Sequence, residues 1–304
     1  MVRADQAHID CITGAGVADE WLEHRTTFNK PSFDVPKGAC DCHCHIVGDL
    51  KKYPLAPNRS FDPFPASQEE YLTLMSSLGI ERTVIVQPSF YGFDNSCTLA
   101  AINAFGQKRA RGICVVEPDT GSYRLRELDA GGFRGIRFIT LASGGASIDA
   151  LPDMAKKIAP LGWHVQMYVT NNMFASLEPV IRSLPVPVVF DHMADIQSNM
   201  TMNDPAFQTV LRLLDTGRCY VKLSGYRSSV AGYPYSDVAW IAKAFIAHAP
   251  ERCLWGTDWP HPRVKSHMPD DGELLDLVAD WSPDAKTRQK ILSDNPKALY
   301  GFDS

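Results

Sequence analysis

Short apolar or alternating runs recur along the chain from residue 39 onward, separated by segments long enough to hold a helix. The first run is CDCHCHIV at residues 40–47. Seven more follow it: RTVIVQPS (82–89), RGICVVE (111–117), FRGIRFI (133–139), WHVQMYV (163–169), VPVVFDH (186–192), CYVKLSG (219–225) and CLWGTDW (253–259). Runs of this kind between turn signals are typical of buried strands. The pattern therefore predicts eight strands.

Two segments between these runs have clear helix signals. Residues 65–79 combine a capping box, formed by Ser67 and Glu70, with an apolar stripe at helical spacing and a terminal Gly79. Residues 272–281 also place apolar side chains at helical spacing. Strands that alternate with helices indicate parallel βαβ units, and eight such units match a (β/α)8 TIM barrel. An open doubly wound sheet is the weaker alternative, because no GxGxxG motif follows an early strand.

Residues 1–38 have no clear period, and we interpret them as an N-terminal extension that precedes a barrel of residues 39–304. The net charge of −5 and the lack of a basic run argue against nucleic acid as a partner. Because there is neither a signal-peptide core nor a long apolar run, the sequence predicts a cytoplasmic protein without a membrane segment. The eight cysteines contain no CxxC pair and are expected to be small core residues in a reducing compartment.

The first predicted strand carries the most distinctive polar pattern. Because strand side chains alternate, the three cysteines of CDCHCH are expected on one face and Asp41, His43 and His45 on the other. Thiols suit the helix layer, whereas imidazoles suit the barrel interior near the C-terminal end of a strand, where active sites of TIM barrels lie. A lone histidine is usually a satisfied core residue, but two on one inward face need buried partners. Together with His192 and Asp258 at the ends of the sixth and eighth strands, they predict a site.

Four segments together resemble the amidohydrolase superfamily: the HxH of the first strand, FDHM at 190–193, WGTDWPHP at 255–262 and DNPKALYGF at 294–302. Within this superfamily the chain resembles the amidohydrolase 2 branch, and within that branch the 2-pyrone-4,6-dicarboxylate lactonase group. The resemblance extends from residue 37 to the end of the sequence. The resemblance implies a lactonase in which Asp258 activates water as general base. It also implies that three histidines polarise the lactone carbonyl and stabilise the tetrahedral intermediate, namely His43, His45 and His192.

The resemblance further implies a set of substrate-binding residues, namely Ser89, Arg137, Tyr168 and Arg227. Two arginines of the resembled group are replaced here by Ser143 and Asp195, and a tyrosine is replaced by Phe61. The loss of two anion-binding groups favours a ring less anionic than the pyrone dicarboxylate. A sugar lactone or a carboxylated, muconolactone-type ring fits this expectation.

Two charged residues have a structural alternative to a role in the site. Arg137 can pair with Glu117 or Asp191 instead of binding substrate. Lys222 resembles the lysine that bridges two metal ions in binuclear relatives, but those proteins carry it on the fourth strand. We therefore expect Lys222 to be solvated or to support the site from behind, and we expect no binuclear centre.

A suitable ligand set for one zinc ion, three nitrogens and one oxygen, is offered by His43, His45, His192 and Asp258. The closely resembling lactonases imply hydrolysis without a metal, since a strained ester is already electrophilic. We therefore expect a site that holds one divalent metal, most suitably zinc, but does not require it.

The sequence leaves other activities open. The same branch includes metal-dependent decarboxylases, which share the HxH motif, the strand-six histidine and the strand-eight aspartate. It also includes lactone isomerases, although one known pattern there lacks an HxH histidine and this chain keeps both. A non-catalytic binding barrel is the remaining alternative, and the intact Asp258 disfavours it. A small-molecule lactone is the expected partner, and the chain is compatible with a homo-oligomer.

Overall fold

A sheet of eight parallel strands stands at the centre of the protein, as seen in a computed structural model that describes residues 21–302. Neighbouring strands pair in sequence order, from the first to the eighth. Their bounds are β1 Cys40–Cys44, β2 Arg82–Val86, β3 Ala110–Cys114, β4 Phe133–Ile139, β5 His164–Tyr168, β6 Val188–Phe190, β7 Cys219–Leu223 and β8 Cys253–Trp255. Every predicted strand is present, and the predicted (β/α)8 barrel is confirmed.

Helices connect the strands and cover the outside of the barrel. Their bounds are α1 Gln68–Leu78, α2 Ser96–Phe105, α3 Ser122–Ala130, α4 Leu151–Ile158, α5 Phe174–Ser183, α6 Pro205–Leu214, α7 Ala239–His248, α8 Asp271–Trp281, α9 Ala285–Gln289 and α10 Asn295–Tyr300. Helix α1 begins at the predicted capping box, in which the Ser67 hydroxyl accepts from the Glu70 amide (3.2 Å) and the Glu70 carboxylate accepts from the Ser67 amide (2.8 Å). It ends at Gly79, whose φ of 72° favours glycine.

Backbone hydrogen bonds close the barrel between β1 and the loop after β8. The amide of Asp258 donates to the carbonyl of His43 (2.8 Å), and the amide of His45 donates to the carbonyl of Trp259 (2.8 Å). The closure of the barrel therefore brings the HxH motif and Asp258 together through the backbone.

An irregularity in β1 changes which side chains face the interior. Asp41 pairs with Thr83 and Cys44 pairs with Ile85, so β1 fits one more residue than β2 into the same stretch. A β-bulge of this kind interrupts the alternation of side chains. Cys42 packs in the cluster that fills the barrel, and His43 lies against interior charges as well. Two consecutive side chains thus point inward.

The predicted grouping of Asp41 with the two histidines is therefore wrong. Asp41 points to the helix layer, where its carboxylate accepts from the hydroxyl of Tyr71 on α1 (2.8 Å) and from the hydroxyl of Thr257 (2.6 Å). Burial raises the pKa of Asp41 to about 6. Cys40 lies inside the barrel with Cys42, contrary to expectation. The role of Asp41 is to tie β1 to α1 and to the loop after β8.

The core has two parts, one between the sheet and the helices and one inside the barrel. The second consists of Cys40, Cys42, Val84, Val86, Ile113, Val189, Leu254, Tyr300 and Phe302. Burying one large apolar side chain of this kind is worth about 1.5–3 kcal/mol. The described cysteines are buried and free, as core residues are expected to be: Cys40, Cys42, Cys44, Cys97, Cys114, Cys219 and Cys253. Cys11 lies outside the described residues.

Residues 21–38, the described part of the predicted N-terminal extension, form neither helix nor strand. They are nevertheless bound to the barrel. The amide of Leu22 donates to the carbonyl of Val264 (2.8 Å), and the amide of Asn29 donates to the carboxylate of Asp270 (3.1 Å). The boundary between extension and barrel near residue 39 stays a prediction. Among residues 21–302, no helix has the length and apolar character that crossing a membrane requires.

Candidate active site

Three imidazole rings converge on one carboxylate oxygen at the C-terminal end of the barrel. Oδ1 of Asp258 lies 3.3 Å from Nε2 of His45, 3.5 Å from Nε2 of His43 and 3.8 Å from Nε2 of His192. All four side chains are buried. The four residues that the sequence predicts as catalytic thus form one cluster, assembled from β1 and from the loops after β6 and β8.

The backbone at two of these residues adopts a conformation that non-glycine residues rarely take. Asp258 has a φ of 66°, and the four residues from His192 to Asp195 all have φ between 48° and 58°. Each such residue costs about 1–2 kcal/mol, and strain of this kind concentrates at functional sites. The turn after β6 is held in place because the amide of Asn171 donates to the carboxylate of Asp195 (3.0 Å). The folded protein therefore maintains this strain where the predicted site lies.

The second oxygen of Asp258 is bound from the other side. Oδ2 accepts from the hydroxyl of Tyr226 (2.6 Å) and from Nε of Arg227 (2.8 Å). Burial acts to raise the pKa of Asp258, but the guanidinium of Arg227, together with His192, outweighs it and holds this pKa well below its ordinary value. Asp258 is therefore a carboxylate. Sequence reasoning missed Tyr226, although it precedes the predicted Arg227.

The tautomer of His45 follows from its partner on β2. Nδ1 of His45 lies 2.7 Å from the carbonyl oxygen of Val86. A carbonyl only accepts, so Nδ1 carries a proton, and in the neutral form of the ring the lone pair of Nε2 points at Asp258. The lone pair of an imidazole faces a carboxylate favourably only when a cation or a proton lies between them. This pair of residues is therefore built to share a proton, a water molecule or a metal ion.

His43 is oriented by buried charges beneath the site. Its Nδ1 lies 3.2 Å from Oδ1 of Asp191, and Nη2 of Arg137 donates to its Nε2 (3.4 Å). Asp191 also faces Arg137 at 3.0 Å and Lys222 at 3.3 Å. Burial acts to raise the pKa of Asp191, but Lys222, His43 and Arg137 hold it well below its ordinary value. Lys222 is fully buried, so the expectation that it is solvated is wrong, and its place beneath the site fits the supporting role.

A cavity of about 240 Å³ lies above the cluster. Its lining includes seven of the eight predicted site residues, namely His45, Ser89, Arg137, Tyr168, His192, Arg227 and Asp258. His43 lies directly beneath, in contact with Asp258. The roles of these residues remain predictions, but they are brought to one place. The lining also includes Phe61, Asp195 and Arg263, and sequence reasoning did not identify Arg263.

Other polar residues at the strand ends serve the fold. Glu117 is exposed, so Arg137 pairs with Asp191 and not with Glu117. Gln87 donates to the carbonyls of Gly92 (3.1 Å) and Asp94 (2.8 Å) and thereby shapes the loop after β2. These strand ends show that a polar residue at the C-terminal edge of a strand is not sufficient to mark a site residue.

The donor set fits a single divalent ion. Tetrahedral zinc with bonds of about 2.0–2.1 Å to nitrogen or oxygen needs ligand atoms about 3.3 Å apart, and the cluster has 3.3 and 3.5 Å between Asp258 and the two β1 histidines. Ligand atoms of His43, His45 and Asp258 lie within 4.8 Å of one another. The lone pair that His45 directs inward is what a metal requires, and its Nδ1–H···O contact is the usual supporting bond. The positive charge of Arg137, whose Nη2 lies 3.4 Å from Nε2 of His43, acts against the binding of a metal cation there.

Known proteins with similar sequences are enzymes that act on lactones. The chain is 37% identical over 307 residues to the 4-sulfomuconolactone hydrolase of Rhizobium radiobacter, covering 99% of both chains. It is 36% identical over 292 residues to the 2-pyrone-4,6-dicarboxylate hydrolase of Comamonas testosteroni, covering 92% of this chain and 95% of that one. The D-galactarolactone isomerase of Agrobacterium fabrum is 32% identical over 284 residues, covering 92% of this chain and 96% of the relative.

Solved structures agree with the fold and the family. A crystal structure of an Agrobacterium tumefaciens protein without ligand has a TM-score of 0.85 and 31% identity, covering 92% of this chain and 99% of that one. The amidohydrolase family matches residues 40–302, which is nearly the whole barrel. The predicted resemblance is thereby confirmed: this chain belongs to the amidohydrolase family.

Proposed function

We propose that the protein hydrolyses a lactone that carries acidic groups, through attack of water on the ring carbonyl. The observation that supports this most is the convergence of three imidazole Nε2 atoms on Oδ1 of Asp258 beneath a cavity lined by arginines. Two hydrolase relatives support it as well, because the compounds in their names are lactones with acidic substituents.

In the proposed reaction, Asp258 takes a proton from water as the water oxygen bonds to the carbonyl carbon. The Nε2 lone pair of His45 accepts the other hydrogen of this water and so directs its oxygen, whereas Nε2 of His43 accepts from Arg137 (3.4 Å) and supports that arginine from below. The ring C–O bond then breaks, and Asp258 returns the proton to the departing ring oxygen. Tyr226 and Arg227 hold the carboxylate in the orientation that presents Oδ1 to the water.

Negative charge that develops on the carbonyl oxygen needs hydrogen-bond donors close by. Arg137 and His192 are the proposed donors, because both line the cavity beside Asp258. Burial lowers the pKa of His192 to about 4, so the ring is neutral at pH 7 and can carry its proton on Nε2. In its neutral form His45 presents the Nε2 lone pair toward Asp258 instead, so we assign this ring to the water. A bound zinc ion, held by the histidines and Asp258, would supply positive charge to the carbonyl oxygen, and we propose that hydrolysis does not require it.

A panel of lactones tests the proposal. The purified protein is incubated with muconolactone, 4-sulfomuconolactone, 2-pyrone-4,6-dicarboxylate and a sugar lactone, with acid release and carbon dioxide measured in parallel. We expect acid release without carbon dioxide for at least one ring. Carbon dioxide release would instead support the decarboxylase alternative.

Lactone isomerisation is the second candidate, favoured by the similarity to the galactarolactone isomerase. An isomerase keeps the ring closed and releases no acid, so NMR spectra of the products separate it from a hydrolase. Inertness toward every ring, with retained binding, would favour a non-catalytic barrel.

A further inference from the structure

The cavity contains a cation that the proposed chemistry leaves unassigned. Of the three arginines in its lining, Arg137 faces Asp191 at 3.0 Å and Arg227 faces Asp258 at 2.8 Å. Each of these two has a structural task beneath or beside the reacting carbonyl. Arg263 lies in the loop after β8, five residues beyond Asp258, and also lines the cavity.

Two aromatic rings lie beside the guanidinium of Arg263. The centre of its guanidinium lies 5.6 Å from the ring of Trp21 and 5.7 Å from the ring of Phe61. Phe61 lines the same cavity. A guanidinium that stacks on aromatic faces keeps its N–H groups in its own plane, where they can bind a carboxylate or sulfonate in pairs. The aromatic contacts therefore help to hold this cation at the cavity lining.

Trp21 belongs to a segment that we name the N-terminal strap, residues 21–32. The strap is fixed to the loop that carries Arg263, because the amide of Leu22 donates to the carbonyl of Val264 (2.8 Å). Farther along, the amide of Ser32 donates to the carboxylate of Asp276 on α8 (2.7 Å). Gly272 permits this approach, since a Cβ there would lie only 2.0 Å from the carbonyl oxygen of Asn29.

The cavity lining also carries a negative charge, on Asp195, opposite in sign to that of Arg263. Asp195 lines the cavity on the side of β5 and β6, where its carboxylate accepts from the amide of Asn171 (3.0 Å). Arg263 and Phe61 lie on the side of β8 and β1. An acidic group of a substrate in the cavity is thus repelled by Asp195 and attracted by Arg263, which favours one orientation of the substrate.

From these contacts we propose that Arg263 binds a second acidic group of the lactone and that the N-terminal strap positions Arg263 for this purpose. The site then selects lactones with two acidic groups over rings with one. This inference rests on the proposed lactone hydrolysis. Arg263, from a different loop, then takes over the binding of an acidic group from the two arginines that are replaced by Ser143 and Asp195 in this chain. The alignment with the 4-sulfomuconolactone hydrolase covers 99% of both chains and so includes the strap.

The test compares two substrates that differ by one acidic group, muconolactone and 4-sulfomuconolactone. In Arg263→Met we expect the kcat/KM for the sulfonated ring to fall about 10- to 100-fold more than that for muconolactone, mainly through KM. Arg263→Lys should recover part of the loss. In Trp21→Ala we expect the kcat/KM for the sulfonated ring to fall about 3- to 10-fold more than that for muconolactone, because the cation remains but loses one of its two aromatic neighbours. Lys265→Met is the matched control, since Lys265 lies 4.6 Å from the same Trp21 ring but does not line the cavity.

Each result decides between the two proposals. Equal losses for both rings in Arg263→Met, or no loss, would overturn the role of Arg263 while leaving lactone hydrolysis intact. If the parent hydrolyses neither ring, calorimetry of the two rings with parent and Arg263→Met still tests the subsite, and the proposed function fails only if the other lactones of the panel are inert as well. Selective weakening of the sulfonated ring in that measurement supports the subsite, and equal binding rejects it. Thermal unfolding of Trp21→Ala separates loss of the strap from loss of the fold.

Discussion

Nε2 of His45 lies 3.3 Å from Oδ1 of Asp258, and Nδ1 of the same ring lies 2.7 Å from the carbonyl oxygen of Val86. The carbonyl of Val86 holds a proton on Nδ1, so in the neutral form of the ring two electron-rich atoms, Nε2 and Oδ1, face each other in a buried place. Such an arrangement is unfavourable until a water proton, an added proton or a metal ion occupies the gap. The cluster is therefore a receptor for positive charge.

This relationship predicts that the protein binds one equivalent of zinc. We expect calorimetry to detect a single site. We expect His45→Gln to weaken zinc binding by at least about tenfold, since a residue that ligates the metal matters no less than the supporting groups whose loss costs about 10- to 100-fold. His248→Gln is the control, because His248 pairs with Asp215 at the surface. Elemental analysis of the untreated protein gives the resting content.

Metal removal is expected to leave lactone hydrolysis in place. Arg137 and His192 remain as donors toward the carbonyl oxygen, and the carboxylate of Asp258 does not depend on the metal. The measurement is kcat for chelator-treated protein, before and after zinc is restored. Complete loss that zinc reverses would contradict hydrolysis without a metal.

Asp258→Asn tests the proton acceptor. General acid–base help is worth about 10²–10⁴ in rate, and we expect kcat to fall by at least the lower figure. The variant should fold, because an asparagine can keep its oxygen toward Tyr226 and Arg227 while its NH2 group faces the imidazole lone pairs. Asp284→Asn, which changes a helix N-cap far from the site, serves as the matched control.

The pH profile distinguishes a base from an orienting residue. The pKa of Asp258 is held well below its ordinary value, and that of His192 is lowered to about 4. The parent should therefore keep its kcat down to about pH 5 and lose it only in more acid solution, as these groups take up protons. Residual activity of Asp258→Asn should lack the part of that decline due to Asp258. A variant with parent-like kcat and an unchanged acidic limb would refute the assignment.

Much of the fold and the cluster could be predicted from the sequence, because both depend on local patterns. Apolar runs marked all eight strands, and a parallel barrel gathers its C-terminal strand ends at one mouth, so His43, His192 and Asp258 had to approach one another. The β-bulge after Asp41 could not be predicted, since it depends on the register with β2, which strict alternation does not reveal.

The partners of the charged residues were the other part that the sequence concealed. Arg137 has two tasks at once, because it faces Asp191 and also lines the cavity. Which carboxylate an arginine meets depends on contacts between strands distant in the chain. Arg263 was missed for a related reason: its loop has no periodicity, and its aromatic platform comes from the opposite end of the sequence.

Arg137→Met should impair both activity and stability. Loss of a charge-assisted hydrogen bond of about 1.5–3 kcal/mol predicts a kcat/KM lower by one to two powers of ten. The free energy of unfolding should fall by about 1–3 kcal/mol, less than for a fully orphaned buried charge, because Lys222 still faces Asp191. Kinetics with an anionic lactone and urea unfolding provide the two measurements.

A double-mutant cycle separates the two roles of Arg137. Asp191→Asn removes the need for the cation, so the stability loss in the double variant should be less than the sum of the single losses. Arg212→Met is the control, since Arg212 pairs with Glu178 at the surface and its removal should change stability little. Full kcat/KM in Arg137→Met would mean that Arg137 acts only in the fold.

His164 is expected to make the stability of the barrel sensitive to acid. It lies buried on β5 beside Tyr300, and burial, assisted by Lys222, lowers its pKa to about 3. In the unfolded chain its pKa returns to about 6.5, so between these values the unfolded state binds the extra proton. The contribution of His164 to the free energy of unfolding is therefore fully present above pH 6.5. It is lost as pH falls toward 3, at up to about 1.4 kcal/mol per pH unit.

The variant His164→Phe keeps an aromatic ring against Tyr300 and removes the titrating group. Relative to the parent, its free energy of unfolding should improve by about 3 kcal/mol between pH 7 and pH 4, as measured by urea unfolding across that range. Val189→Ile is the matched control, because it perturbs packing in the same barrel interior without a titratable group, so its difference from the parent should not vary with pH. A constant difference for His164→Phe as well would mean that this imidazole is as easily protonated in the folded barrel as in the unfolded chain, and the acid sensitivity would then have to come from the carboxylates around it.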